Sequence, residues 1–196
     1  MFRSSVRVRD AEPADAAALV SIWADFSKRT PGELQVTPEA EASTALARIA
    51  ADPDERLLVG VLDDGVVGAM HLRRTAVSPI HTETAIHTSH LHVLESSRRR
   101  GVGRALLEAA VSWAEEKDTA YILAASATNS REANRFMARL GLGQVAVVRG
   151  ATVPALRVKL PGEAAAVAQI GTRADHNLGQ VLAHRRSQRR ARTTPK

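Results

Sequence analysis

With 196 residues, 44% of them hydrophobic, and 27 basic against 21 acidic side chains, the chain suits one compact domain with material left over at an end. The absence of cysteine excludes a disulfide framework, a thiolate zinc site and a cysteine nucleophile, and no apolar run reaches the length of a bilayer span. From Pro161 onward seven basic residues (Arg173, Arg185, Arg186, Arg189, Arg190, Arg192 and Lys196) face only Glu163 and Asp175, which leaves 20 basic and 19 acidic residues in 1–160, so any nucleic-acid contact would rest on the tail alone.

Met1 to Arg7 lacks the apolar core of a signal peptide, and a cytoplasmic protein without a membrane anchor is expected. Val6 to Arg9 alternates apolar and basic residues as a short half-buried strand does. Pro13 suits a helix start, and Ala16, Leu19, Val20 and Trp23 follow at helical spacing, with Phe26 near the end. Thr37-Pro38 opens a second helix that Asp52-Pro53 stops. Leu57 to Leu62, Asp63-Asp64-Gly65 and Val66 to Leu72 read as strand, tight turn and strand.

Thr82 to Val93 predicts a further strand. Val102 to Lys117 predicts a helix with Val102, Ala105, Leu106, Ala109, Ala110 and Trp113 on one face. Tyr121 to Ala125 predicts a short buried strand. Asn129-Ser130-Arg131-Glu132 has the form of a capping box before a helix carrying Phe136, Met137 and Leu140 and ending at Gly141. Val145 to Val148 and Thr152 to Leu160 predict a closing pair of strands. Beyond residue 160 a basic tail is expected, partly helical around Leu178, Val181 and Leu182 or else disordered.

The stretch Arg98-Arg99-Arg100-Gly101-Val102-Gly103-Arg104 stands at the start of the cleanest helix pattern. Unpaired N–H groups of a first helical turn carry partial positive charge, and two glycines remove side chains from before them. With arginines on either side, backbone donors, helix dipole and guanidinium charge converge as a pyrophosphate requires. No Gly-Lys-Ser/Thr follows, which excludes a P-loop, and Leu106 takes the place of the third glycine of a dinucleotide fingerprint.

The order Arg-x-x-Gly-x-Gly, preceded by His90-Leu91-His92-Val93 and followed by Arg104-Ala105-Leu106-Leu107, resembles the pyrophosphate-binding motif of the GNAT superfamily of acyl-CoA-dependent N-acyltransferases. Ala133 to Leu142 resembles a second stretch of that family. The resemblance covers about residues 6–160 and is strongest over 85–142. It implies an α/β fold with a mixed, splayed central sheet of about seven strands and helices on both faces, forming an acyl-CoA-binding domain over 1–160.

The resemblance further implies acetyl-CoA or another short acyl-CoA as co-substrate, with no metal, and an amine as acceptor. The cofactor pyrophosphate would lie on the backbone around Arg98, Arg99, Arg100, Gly101, Val102, Gly103 and Arg104. The main chain of Leu91, His92 and Val93 would hold its pantetheine arm, and Ser130 and Asn134 of the second stretch would complete the binding set. The family's proton acceptor falls about eleven residues before Arg98, at His87, with Glu83 as second choice. Its usual tyrosine acid is Met137 here, which donates no proton. His90 and His92 are read as structural histidines rather than metal ligands. Acceptor specificity would lie in Lys28 to Thr37, Val77 to Thr82 and Arg149 to Val153, none of which carries a motif. A homodimer is a further implication of the family. Two alternatives stay open: a weakly catalytic acyl-CoA-binding sensor or scaffold, and a ribosome- or RNA-associated protein acting through its tail.

Overall fold

The computed structural model describes residues 5–27, 37–126 and 130–160. The tail, most of the Lys28–Thr37 segment and Asn129 lie outside the described residues. The chain divides between Gly143 and Gln144 into two units.

The first unit is built on a five-stranded mixed sheet in the order β1 (Arg7–Asp10), β2 (Glu55–Leu62), β3 (Gly65–Ala76), β4 (Thr84–Val93) and β5 (Tyr121–Ala124). All neighbours are antiparallel except β4 and β5. Asp63 and Asp64 take positive φ, 50° and 62°, in the turn from β2 to β3; short polar side chains tolerate that left-handed geometry, and it matches the twist of the flanking strands. β2 is buried along almost its whole length. Its residues alternate between two cores, as the two-residue period of a strand requires.

On one face Leu57, Val59, Val61 and Ala69 pack with Ala16, Leu19 and Ile22 of α1 (Ala16–Ser27) and Leu46 of α2 (Glu39–Ala51). On the other, Leu58, Met70, Leu72 and Ile86 pack with Val102, Leu106, Ala110 and Trp113 of α3 (Val102–Glu116) and Met137 of α4 (Arg131–Arg139). This is the mixed α/β layering expected, with helices on both faces.

Four details differ from expectation. β4 begins at Thr84, so Glu83 precedes the strand and is exposed instead of sharing its alternating face. Ser130 caps α4 through Ala133 N (3.3 Å), but Glu132 does not close a capping box; its carboxylate pairs with Arg98. The sheet has five strands among the described residues, not about seven. In the second unit, residues 144–151 form no helix or strand, and Val153–Lys159 is a helix, α5. The Thr152 hydroxyl caps α5 through Ala155 N (3.3 Å), and Pro154 sits in its first turn. Proline lacks the N–H a ladder needs and is pre-set for a helix start, so Thr-Val-Pro overrides the β-branched pattern.

Candidate functional site

The site begins where the sheet opens. β4 and β5 pair in parallel from Ala85 with Tyr121 to Thr88 with Ala124, and Ala125 N adds a last bond to the Thr88 carbonyl (2.9 Å). β4 continues beside β3 as far as Val93. Its other edge, through Leu91, His92 and Val93, is therefore released from β5. An extended edge of this kind offers backbone groups to an extended ligand.

The N-terminus of α3 stands against this opening. Gly101, its N-cap, has φ 88°, and a β-carbon placed on it would meet nothing within 4 Å. Gly103 differs: its missing β-carbon would touch Phe136 of α4 at 3.5 Å and Val93 Cγ2 at 3.9 Å. Gly101 thus serves backbone geometry and Gly103 close packing. The first helical bond of this end is Ala105 N to Gly101 O (3.0 Å), and no side chain caps it. The N–H groups of Val102, Gly103 and Arg104 lie before that bond, without acceptors within the helix. Arg99 also takes positive φ (59°), so two left-handed residues flank Arg100. Such a turn before a helix start makes an anion-binding concavity, whose donor set fits a pyrophosphate.

The four arginines have separate surroundings. Arg98 is partly buried; its Nε donates to the Val93 carbonyl (3.2 Å) and its Nη1 to Glu132 (3.2 Å), tying the end of β4 to α4. Arg100 pairs with Asp63 of the β2–β3 turn (3.0 Å) and Arg104 with Glu108 (2.8 Å), both exposed. Exposed pairs of this type contribute little and exchange readily for a phosphate. Arg99 is exposed and makes no ion pair among the described residues.

Across the opening, Asn134 Oδ1 accepts from Ser126 Oγ (3.0 Å), while Ser130 is occupied as the α4 cap. Met137 lies in the core at 7% exposure, so this position presents no polar group to the opening.

The α1 side of β4 carries most of the titratable chemistry. His87 is exposed, opposite Arg73 on β3 and Leu123 on β5, within the paired part of the sheet. Beyond it β4 bulges: His71 faces Ser89 and Ala69 faces His92, so His90 and Leu91 share one partner position. His90 has φ 54°. The extra residue leaves Ser89 and His90 both beside His71. His92 is buried, its Nε2 2.8 Å from Asp25 Oδ2 at the end of α1.

Sequence reasoning missed the chain of groups next to it. Glu55 is 5% exposed; its Oε1 lies 2.7 Å from His71 Nε2 and its Oε2 3.0 Å from Arg48 Nη1. Burial alone would raise the Glu55 pKa, but the hydrogen bonds and charges of His71 and Arg48 outweigh it and hold the carboxyl below its usual range. His71 Nδ1 is 3.2 Å from Ser89 Oγ, which is 2.9 Å from His90 Nδ1. The His90 ring stacks on Trp23 at 6.2 Å and is flanked by Phe26 at 5.7 Å. Desolvation, then the charge of His71, pushes its pKa below the usual imidazole value. The signal in the sequence is slight, because Glu55 and His71 stand 16 residues apart and Ser89 a further 18.

Comparison with known proteins agrees with this architecture. Among solved structures, glucosamine-6-phosphate N-acetyltransferase from Arabidopsis thaliana superposes with a TM-score of 0.64 at 10% identity, over 76% of this chain and 99% of its own. A transcriptional regulator from Bacillus halodurans C-125 gives 0.62 at 22% identity, over 76% and 99%. An aminoglycoside N-acetyltransferase in complex with CoA gives 0.61 at 15% identity, over 76% and 95%. At these identities the likeness is one of fold. No curated protein sequence matches the chain. The sequence profile of the acetyltransferase (GNAT) family matches residues 19–142, well over half of the length and all of the site just described. The chain belongs to the acetyltransferase (GNAT) family, a family of acyltransferase enzymes.

Proposed function

We propose that this chain transfers an acetyl group from acetyl-CoA to a primary amine by direct attack of the amine on the thioester. The observation that carries the proposal is the juxtaposition of the released β4 edge, Leu91 to Val93, with the uncapped first turn of α3 behind Gly101. A long ligand with a pyrophosphate in its middle and a reactive thioester at one end matches those two features in order. The N–H groups of Val102, Gly103 and Arg104 would hold the pyrophosphate, with Arg99, Arg100 and Arg104 adding charge. The β4 main chain would hold the pantetheine arm, with Ser130 and Asn134 opposite it. Arg98 acts by fixing the β4 end against α4.

Acetyl transfer needs reactants held in line, a polarised carbonyl and a route for the proton the amine loses. His87 is exposed on β4 as a proton acceptor would be; Glu83, before the strand, is further from the opening along the chain. Buried Met137 leaves the departing thiolate without a side-chain acid at the family's tyrosine position. That same burial favours a second reading, an acyl-CoA-binding module with weak turnover.

Thiol release from acetyl-CoA, measured over putrescine, tryptamine, kanamycin and an unblocked lysine peptide, separates the two. Acetyl transfer predicts release above background with at least one of these amines. CoA binding without release from any of them would leave the binding module. The acidic or nucleic-acid partners that a basic tail would attract concern residues outside those described.

A further inference from the structure

From the bulge in β4 we infer that His90 is the proton acceptor of the site, held in one tautomer by a hydrogen-bond relay through Ser89 and His71 to the buried carboxylate of Glu55. The inference rests on the acetyl-transfer reading and assigns it a residue different from His87. Its basis is the unbroken chain of hydrogen-bond contacts through the four groups and the direction it takes when His71 is neutral.

A carboxylate only accepts, so His71 Nε2, 2.7 Å from Glu55 Oε1, carries the proton. Taking His71 as the neutral ring, its Nδ1 is a lone pair and accepts from the Ser89 hydroxyl (3.2 Å). That hydroxyl has one proton, now used, so its oxygen accepts from His90 Nδ1 (2.9 Å). His90 is therefore the Nδ1–H tautomer, and its Nε2 lone pair, which has no hydrogen-bond partner among the described residues, is available as a base. The relay orients a neutral imidazole and, once His90 is protonated, aims its Nδ1–H along a path ending in negative charge.

Position supports the assignment. β4 leaves β5 after Thr88, so Ser89 and His90 are the first residues at the opening, whereas His87 lies inside the paired sheet. The groups facing His90 are Trp23 and Phe26 from α1, His71 from β3 and Ser89 from its own strand; His92 is already engaged with Asp25. A neutral base beside two aromatic rings suits a primary amine attacking in its uncharged form. In the step, the amine nitrogen bonds to the thioester carbonyl carbon and the carbon–sulfur bond breaks with its electron pair on sulfur. The nitrogen's proton passes to His90 Nε2, and from there to solvent or the CoA thiolate. His90 is the catalytic residue in this account; Ser89, His71 and Glu55 are positioning residues.

Two measurements test it. Long-range nitrogen–proton correlation spectra of the histidine rings of the full chain should report His90 as Nδ1–H and His71 as Nε2–H, with Ser89→Ala returning His90 to the commoner Nε2–H form. A wild-type His90 in the Nε2–H form, or no change in Ser89→Ala, would overturn the relay whether or not the chain turns over acetyl-CoA. In thiol release with the best amine of the panel, His90→Gly, which relaxes at φ 54°, should lose about 100-fold or more in kcat with KM for acetyl-CoA unchanged, and added imidazole should restore part of it. Glu55→Gln should move the acidic limb of the kcat profile to lower pH, as loss of the distant charge weakens the base. If His90→Gly stays within about threefold of wild type, or His87→Asn alone abolishes release, the assignment falls while the acetyl-transfer reading stands. If wild type releases no thiol with any amine, both fall.

Discussion

Gly60 and Val102 meet so closely that a β-carbon on the glycine would stand 2.7 Å from Val102 Cγ1. Gly60 is paired across the sheet with Gly68, whose own missing β-carbon would lie 3.0 Å from the same methyl and 2.9 Å from the His92 carbonyl oxygen. The two bare positions make a socket on the sheet, and the first side chain of α3 fills it. The helix N-terminus that faces the opening is thereby set at a fixed height over β2 and β3.

Gly60→Ala should therefore destabilise the fold by about 1–3 kcal/mol, because Val102 is fully buried and branched and has little room to turn. In a Val102→Ala background most of that cost should disappear, giving a coupling well above the few tenths expected of independent sites. Gly68→Ala should keep its cost in either background, since backbone of β4 stands in the way. Denaturant unfolding of the single and double variants measures all three.

Gly101→Val should abolish CoA binding while sparing the fold more than a core change would. The position is open, but φ 88° excludes a branched side chain. Gly101→Asn, which tolerates left-handed backbone, should bind with a smaller loss. Calorimetric titration with CoA ranks the variants; equal affinity in wild type and Gly101→Val would remove the pyrophosphate cradle from its proposed place.

Arg98 and Arg99 should separate cleanly despite being neighbours. Arg98→Ala removes the link between the Val93 carbonyl and Glu132 and should lower both thermal stability and CoA affinity. Arg99→Ala should leave the melting temperature unchanged and reduce the salt dependence of CoA binding, as loss of one exposed phosphate contact would. Thermal melts alongside titrations at two salt concentrations tell them apart.

Asp15 supplies a pH test. Its two oxygens accept from Arg9 at 2.6 and 2.9 Å, and Glu12 N donates to it at 2.8 Å. The Arg9 hydrogen bond, against desolvation and with the Glu12 amide and the Arg9 charge, lowers its pKa below the usual carboxylate range. A carboxyl depressed in the folded state adds stability that is fully present above the unfolded value and is lost as pH falls through the folded one. Asp15→Asn should thus lose stability at neutral pH, and the gap to wild type should close as the pH drops below about 4. Stability curves at neutral and acid pH test the sign.

Much of this fold is legible in the sequence because local signals agree with the final packing. The apolar stripe of α3 predicts the face that fills the core, and Asp63-Asp64-Gly65 predicts a turn whose two aspartates do adopt positive φ. Gly101 is legible for the same reason, as a residue before a helix where the backbone turns left-handed. The closing strands are misread because Val145, Val147, Val148 and Val153 favour strand locally, while Thr152 and Pro154 decide where the helix starts. The bulge at His90 has no local signature, since histidine is not a turn residue and the extra position shows only against β3. Gly60 and Gly68 flag a close approach in a strand, but the partner, Val102, is 34 residues beyond the nearer of them. The Glu55, His71 and Ser89 cluster needs three strands in register before it exists.

The account turns on one acyl-CoA molecule lying along the released β4 edge with its pyrophosphate on α3. Amide chemical shifts of the labelled chain, followed during titration with acetyl-CoA, read that placement residue by residue. The predicted result is saturable shifts concentrated at Leu91 to Val93 and Arg99 to Arg104, absent in Gly101→Val. Saturation without shifts in those two segments, or the same shifts in Gly101→Val, would contradict it.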